Sequence, residues 1–201
     1  MENIIQKRFK ESSEVKNRFL KENLSRLLEV IKLFSHCFES GNKLFFFGNG
    51  GSAADAQHLA AEFVNRYIMD RPPLPAIALT TDTSILTSIS NDSSFHEIFS
   101  KQIKALGKEG DVAIGISTSG TSPNIIKAFE VAKEMGIKTV ALTGNDGGAL
   151  AKIADFSLIV PSTSTPRIQE VHILVGHILC ELVEFHLFLN AHANPIRDAS
   201  H

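Results

Sequence analysis

KLFFFGNGGSAADAQHLAAEFV (43–64) changes its period in the middle, and that change decides the fold. Its first six residues are a short run, apolar on both faces. A glycine-rich turn follows, and then a helix from about Ala53 to Arg66. The same unit recurs downstream. PAIAL (75–79) leads into a helical pattern to about Ile89 and again from Phe95 to Leu106. DVAIGIS (111–117) leads through STSGTS into a helix with Ser122 at its N-cap and Pro123 at its first position. KTVAL (138–142) precedes a short helix over 147–154, and FSLIV (156–160) precedes a long one from about Pro166 to Leu189. Strands apolar on both faces and alternating with helices predict an α/β architecture, a doubly wound parallel five-stranded sheet flanked by helices.

Upstream of this core, Leu20, Leu24, Leu27, Leu28, Ile31, Phe34 and Phe38 recur every three or four residues, the apolar stripe of a helix. Ile4, Ile5 and Phe9 suggest a shorter helical segment before it, and Gly41 is placed to end the helix. With no repeat, low-complexity tract or linker, residues 1–201 read as one domain: a helical N-terminal extension (1–40), a core with its final helix (41–189), and a tail (190–201).

A net charge of −2, with no run of Lys or Arg, offers no footprint for nucleic acid. Cys37 and Cys180 both lie in apolar helical patterns and form no disulfide framework, which predicts a reducing compartment. The N-terminus alternates charged with apolar residues, unlike a signal peptide, and no run approaches the roughly 18 apolar residues of a membrane span. The expectation is a cytoplasmic protein without a membrane partner.

In open parallel sheets, ligands bind beyond the carboxyl ends of the strands. The loop opening at Gly48 satisfies G-x-G-x-x-A through Gly48, Gly50 and Ala53. A dinucleotide site also needs an acidic residue at the end of a second strand. The nearest, Asp70, sits in the turn MDRPPLP, so an anion or sugar site using backbone N–H groups with Asn49 and Ser52 is the better reading. The plainer alternative is a tight strand-to-helix turn. STSGTSPN (117–124) gathers four hydroxyls, a glycine and a helix N-terminus without the lysine of a P-loop, which suits a phosphate monoester. SND (90–92), after a helical stretch, says nothing alone.

His58 and Glu62 are four apart on one helix, and Gln169 and His177 are eight apart on another, with His172 nearby. Both helices look buried, where polar groups need partners. Satisfied core histidines remain an alternative. Two imidazoles, a carboxylate and an amide oxygen would suit Zn²⁺ without excluding other first-row metals.

GNGGSAADAQHLAAEF, RPPLPAIAL, SND, GDVAIGISTSGTSPNIIKA, KTVALTG and RIQEVHILVGHILCELVE, in this order and spacing, resemble the phosphoheptose isomerases of the sugar-isomerase (SIS) fold over roughly residues 40–188. The resemblance implies an aldose–ketose isomerase that interconverts sedoheptulose 7-phosphate and D-glycero-D-manno-heptose 7-phosphate, early in bacterial surface heptose synthesis (lipopolysaccharide core or capsule). It implies a homotetramer with active sites between subunits and one zinc per subunit on His58, Glu62, Gln169 and His177. It implies substrate contacts at Asn49, Gly50, Gly51, Asn91, Asp92, Ser117, Thr118, Ser119, Ser122, Glu62 and Gln169, with Glu62 and His177 catalytic. Rival readings are a non-enzymatic SIS-fold protein that binds the replication initiator, a different sugar-phosphate isomerase, and a sugar-phosphate sensor. The resemblance implies that the initiator-binding relatives lack counterparts of Glu62 and His177.

Overall fold

Five strands form one parallel sheet: β1 (Leu44–Gly48), β2 (Ala76–Ala78), β3 (Val112–Ser117), β4 (Lys138–Gly144) and β5 (Phe156–Val160), in the order β2-β1-β3-β4-β5. This computed structural model describes residues 1–189, so the tail expected at 190–201 lies outside the described residues. The helices are α1 (Glu2–Glu39), α2 (Gly51–Val64), α3 (Thr83–Asp92), α4 (Ser100–Leu106), α5 (Pro123–Glu134), α6 (Gly148–Ile153) and α7 (Thr165–Glu184). A 3₁₀ turn spans Phe95–Glu97, and a π-helical turn over Phe185–Leu189 continues α7.

The pleat explains why the strands read as unbroken apolar runs. Leu44 and Phe46 point into a core shared with α1, α2 and α7, together with Ile114, Leu142 and Val160. Phe45 and Phe47 point the other way, into a second core closed by α3 to α6 around Ile103, Ile125, Phe129 and Leu150. Both faces are covered, as the sequence predicts. Asp111 fastens the base of the sheet. Its fully buried carboxylate accepts from the Lys43 backbone (2.9 Å), the Lys43 ammonium (2.8 Å) and the Lys108 backbone (2.9 Å).

Three expectations need correcting. The N-terminal region is one unbroken helix rather than two segments. Its buried face is Val15, Phe19, Asn23, Leu27, Val30, Ile31 and Phe34, whereas Leu20, Leu24 and Leu28 stand about half exposed, at 51%, 52% and 49%. The core-facing stripe runs one residue out of step with the most conspicuous leucines, and Asn23 joins it by bonding the Phe19 and Ile159 carbonyls. Third, Thr165–Leu189 is long and apolar enough to cross a membrane, contrary to the expectation that no run approaches that length. Here Ile168, Val171, Val175, Leu179 and Val183 are instead buried in the first core.

The strand order places the site. From β1 the chain leaves to one side of the sheet through α2 and β2, and from β3 it leaves to the other through α5. The carboxyl ends of β1 and β3 therefore open a crevice where their connections diverge.

Candidate active site

Close backbone approach builds the crevice. A Cβ on Gly48 would lie 2.7 Å from the Ser52 carbonyl oxygen and 2.9 Å from that of Ile116, so only glycine lets β1 turn here beside β3. Gly50 has φ +56° and starts α2, whose first residue, Gly51, leaves room for the Gln169 amide of α7. Across the crevice, Ser117 and Ser122 share a hydrogen bond between their hydroxyls (2.9 Å), and Ser117 Oγ accepts from the Gly120 N–H (3.2 Å). Ser119 and Thr121 form a second hydroxyl pair at 3.0 Å. Ser122 occupies the N-cap position of α5, but its side chain bonds Ser117 instead of capping. The Thr118 carbonyl accepts from Asn145 Nδ2 (3.1 Å), and Gly120 packs against Gly147 and Gly148, which fixes the loop from behind. Ser117 is buried, Thr118 partly so and Ser119 exposed, a graded row of hydroxyls facing outward.

The second cluster lies further along α2. His58 Nε2 is 2.9 Å from His177 Nε2 of α7 and 3.4 Å from Glu62 Oε1. The two helices can approach because Gly176 leaves space for Leu59. Tyr67 stacks on His177, with ring centroids 5.5 Å apart and planes 24° apart. The sequence reading of a buried α2 holds for Ser52, Ala56, Leu59, Ala60 and Phe63, but not for His58 and Glu62. The His58 side chain is 46% exposed and that of Glu62 24%, so they face the open side of the helix.

A Zn²⁺ ion places adjacent nitrogen ligands about 3.3 Å apart, given bonds of about 2.0–2.1 Å in a tetrahedron. The two facing imidazoles need part by only about 0.4 Å to meet that spacing, and Glu62 completes a nitrogen–oxygen donor set. As it stands His58 and His177 share a hydrogen bond, with the Glu62 carboxylate beside His58, and among the described residues no group of three His, Cys, Asp or Glu side chains forms a ready cage. Gln169 does not join it. Its amide lies against Gly51, seven residues and about 10 Å of helix axis before His58. Three of the four residues expected at the metal thus lie near one another, and nitrogen and oxygen donors of these types are ones Zn²⁺ takes.

A buried ion pair supports the trio from behind. Glu184, fully buried, accepts from the backbone N–H groups of Tyr67 (2.7 Å), Ile68 (3.0 Å) and Met69 (3.1 Å) and from Arg71 Nε (2.7 Å). Burial pushes its carboxyl up, but these four donors outweigh burial and hold its pKa below the ordinary value. Arg71 also donates to the carbonyls of Phe63 (2.8 Å), Glu62 (2.9 Å) and Pro72 (3.1 Å). One ion pair thereby anchors the end of α2 at Glu62 and the loop that carries Tyr67.

The remaining expected residues are placed as follows. Asn91 and Asp92 lie exposed in the last turn of α3 rather than after it, and the side-chain bond they make among the described residues is to each other (2.8 Å). His172 faces the core, with Nε2 3.0 Å from the Thr143 carbonyl oxygen and Nδ1 buried without a partner, so it is a core histidine satisfied on one nitrogen only. Sequence reasoning missed Asn124, whose buried amide pairs with that of Asn49, and Tyr67 and Glu184, whose partners are far away in the chain. It also missed Asp55. One turn before His58, its Oδ2 is buried without a partner, and burial raises its carboxyl above the usual range. The cysteines are buried as expected, and burial, with the Asp111 carboxylate behind it, pushes the Cys37 thiol up to about 12.

The SIS domain family model matches residues 8–144. The phosphoheptose isomerase of Thermodesulfovibrio yellowstonii is 55% identical over 188 residues, which cover 94% of each chain. Among solved structures, the phosphoheptose isomerase of Neisseria gonorrhoeae superposes with a TM-score of 0.86 at 44% identity, covering 91% of this chain and 98% of its own. That of Francisella tularensis gives 0.87 at 40% identity, covering 90% and 96%. With the expected sheet, the two hydroxyl- and glycine-rich loops and the α2–α7 trio all in place, the chain belongs to the SIS-domain family and, within it, to the phosphoheptose isomerases.

Proposed function

We propose that the protein interconverts sedoheptulose 7-phosphate and D-glycero-D-manno-heptose 7-phosphate by enediol proton transfer. In the cell this would be a cytoplasmic, early step of surface heptose synthesis, feeding lipopolysaccharide core or capsule. The observation that carries the reading is the trio of His58, Glu62 and His177, which brings a carboxylate and two imidazoles together from different helices. Isomerisation from the ketose requires removal of a proton from C1 and protonation of O2 to give the enediol. Loss of the O1 proton with protonation of C2 then gives the aldose. Glu62 is the base that carries the proton between C1 and C2. His177, held in orientation by Tyr67 and His58, exchanges protons with O1 and O2. The phosphate sits on the hydroxyls and N–H groups of Ser117, Thr118, Ser119 and Ser122, and Asn49, Gly50, Gly51, Ser52 and Gln169 hold the sugar.

His58, Glu62 and His177 would hold one Zn²⁺, with a fourth ligand from another copy of the chain or from solvent. When bound, the ion would supply Lewis acidity towards the substrate oxygens or simply fix the side chains.

The proposal includes a homotetramer with shared sites. His58 lies seven residues and Glu62 eleven residues beyond Gly51, about 10 and 16 Å along the axis, so a chain's sugar-binding loop and its own trio are set apart along α2. A second copy would bring the two together, and the half-exposed Leu20, Leu24 and Leu28 of α1 offer apolar surface for it. Turnover in D₂O tests the chemistry. The enediol route predicts solvent deuterium at C2 of the aldose product. Because the Glu62 side chain is partly open to solvent, the proton it carries should exchange at least in part, and complete retention of the substrate hydrogen would contradict a solvent-open Glu62 as the carrier.

A further inference from the structure

We propose that Asn124 is a positioning residue for substrate binding, acting by clasping Asn49 across the crevice; the inference rests on the sugar-phosphate site proposed above. Asn49 Nδ2 donates to Asn124 Oδ1 (3.0 Å), and Asn124 Nδ2 donates to Asn49 Oδ1 (2.9 Å). Asn124 is 1% exposed at the second position of α5, whereas Asn49 is partly open to the crevice. Among the described residues, these two bonds are the only hydrogen bonds between residues 49–52 and 117–124.

A primary amide carries two N–H donors and an oxygen with two lone pairs. The reciprocal pair uses one donor and one lone pair on each side. Asn124, buried, commits one N–H and one lone pair to Asn49. Asn49 keeps an N–H and a lone pair, and the clasp fixes where they point. The pair also spans the place where the connections from β1 and β3 diverge to opposite sides of the sheet, so no helix or strand ties the two loops together beyond Gly48 and Ile116. A substrate gripped at its phosphate by one loop and at its hydroxyls by the other needs that spacing held before it arrives. The clasp supplies it with no contact between Asn124 and substrate.

A ligand that uses only the 117–122 loop should be indifferent to the clasp, and one that bridges both loops should not. Inorganic phosphate is the first kind of probe and sedoheptulose 7-phosphate the second. Asn124→Ala, with Asn124→Ser as a milder variant should the first fold poorly, is expected to raise KM for sedoheptulose 7-phosphate at least about tenfold. The inhibition constant of inorganic phosphate should stay within about twofold, and kcat should change less than KM. In an Asn49→Ala background, adding Asn124→Ala should change KM little, because the residue it positions is already gone. An equal rise for phosphate, independent effects in the double variant, or an unchanged KM each overturns the clasp. If the wild type does not turn the sugar over, the isomerase reading fails by itself. The clasp is then judged by the same comparison of calorimetric Kd values, and a wild type that binds neither ligand overturns both.

Discussion

Glu62 and His177 carry the reaction in this account, and substitution separates them from residues that only shape the site. Glu62→Gln keeps the size and hydrogen bonding of the side chain but cannot take a proton. It is expected to lower kcat by about 10²-fold or more with a modest change in KM. A variant with near wild-type kcat would remove Glu62 as the base. His172 shows how alike two histidines can look in sequence. Burial pushes its imidazole down to about 4, against the Thr143 carbonyl, which draws it up. Because the folded value is depressed, the unfolded chain binds the proton that the folded chain refuses. Stability is thus full above about pH 6.5 and falls as the pH drops towards 4, by up to about 3 kcal/mol. Urea unfolding at fixed protein concentration should show this fall in the wild type and a smaller one in His172→Gln; equal slopes would contradict it. The i, i+4 spacing exposed His58 and Glu62 to sequence reading. Asn124 and Tyr67 were not legible, because their meaning lies in partners 75 and 110 positions away that no local pattern encodes.

Among the elements, the strands were the most legible, since a run apolar on both faces has few uses besides a covered parallel strand. Helix α1 was the least. Leu20, Leu24 and Leu28 outweigh Val15, Phe19 and Asn23 in a pattern of apolar residues, yet the latter pack inward and bury an asparagine that no such pattern would choose. The junction of α2 and α7 was legible only as two helices with polar residues in phase. What locks it is the Arg71–Glu184 pair, fully enclosed, with four N–H groups on the carboxylate and three carbonyls on the guanidinium. Glu184→Gln leaves the Arg71 cation buried without a counter-charge and is expected to cost about 3–5 kcal/mol in denaturant unfolding. The low pKa of Glu184 sets the sign of its pH dependence. Its contribution is present above the unfolded carboxyl value near 4.5 and is lost as the pH falls through the folded value. Acid unfolding should therefore be less steep in the Gln variant, and an unchanged acid limb would argue against the pair.

At the scale of the molecule, the separation of the loops from the trio along α2 and the exposed leucines of α1 both point to assembly. Leu20→Glu with Leu24→Glu should leave helical circular dichroism intact, shift light-scattering mass from four chains towards one or two, and abolish turnover. A folded, fully active monomer would contradict shared sites. The direct test of the central claim is turnover of sedoheptulose 7-phosphate by the purified protein, before chelation, after it, and with Zn²⁺ restored. The account predicts conversion to D-glycero-D-manno-heptose 7-phosphate, its loss on chelation and its recovery with Zn²⁺. Absence of conversion under every metal condition would contradict the assignment and favour a protein that binds a sugar phosphate or another partner without transforming it.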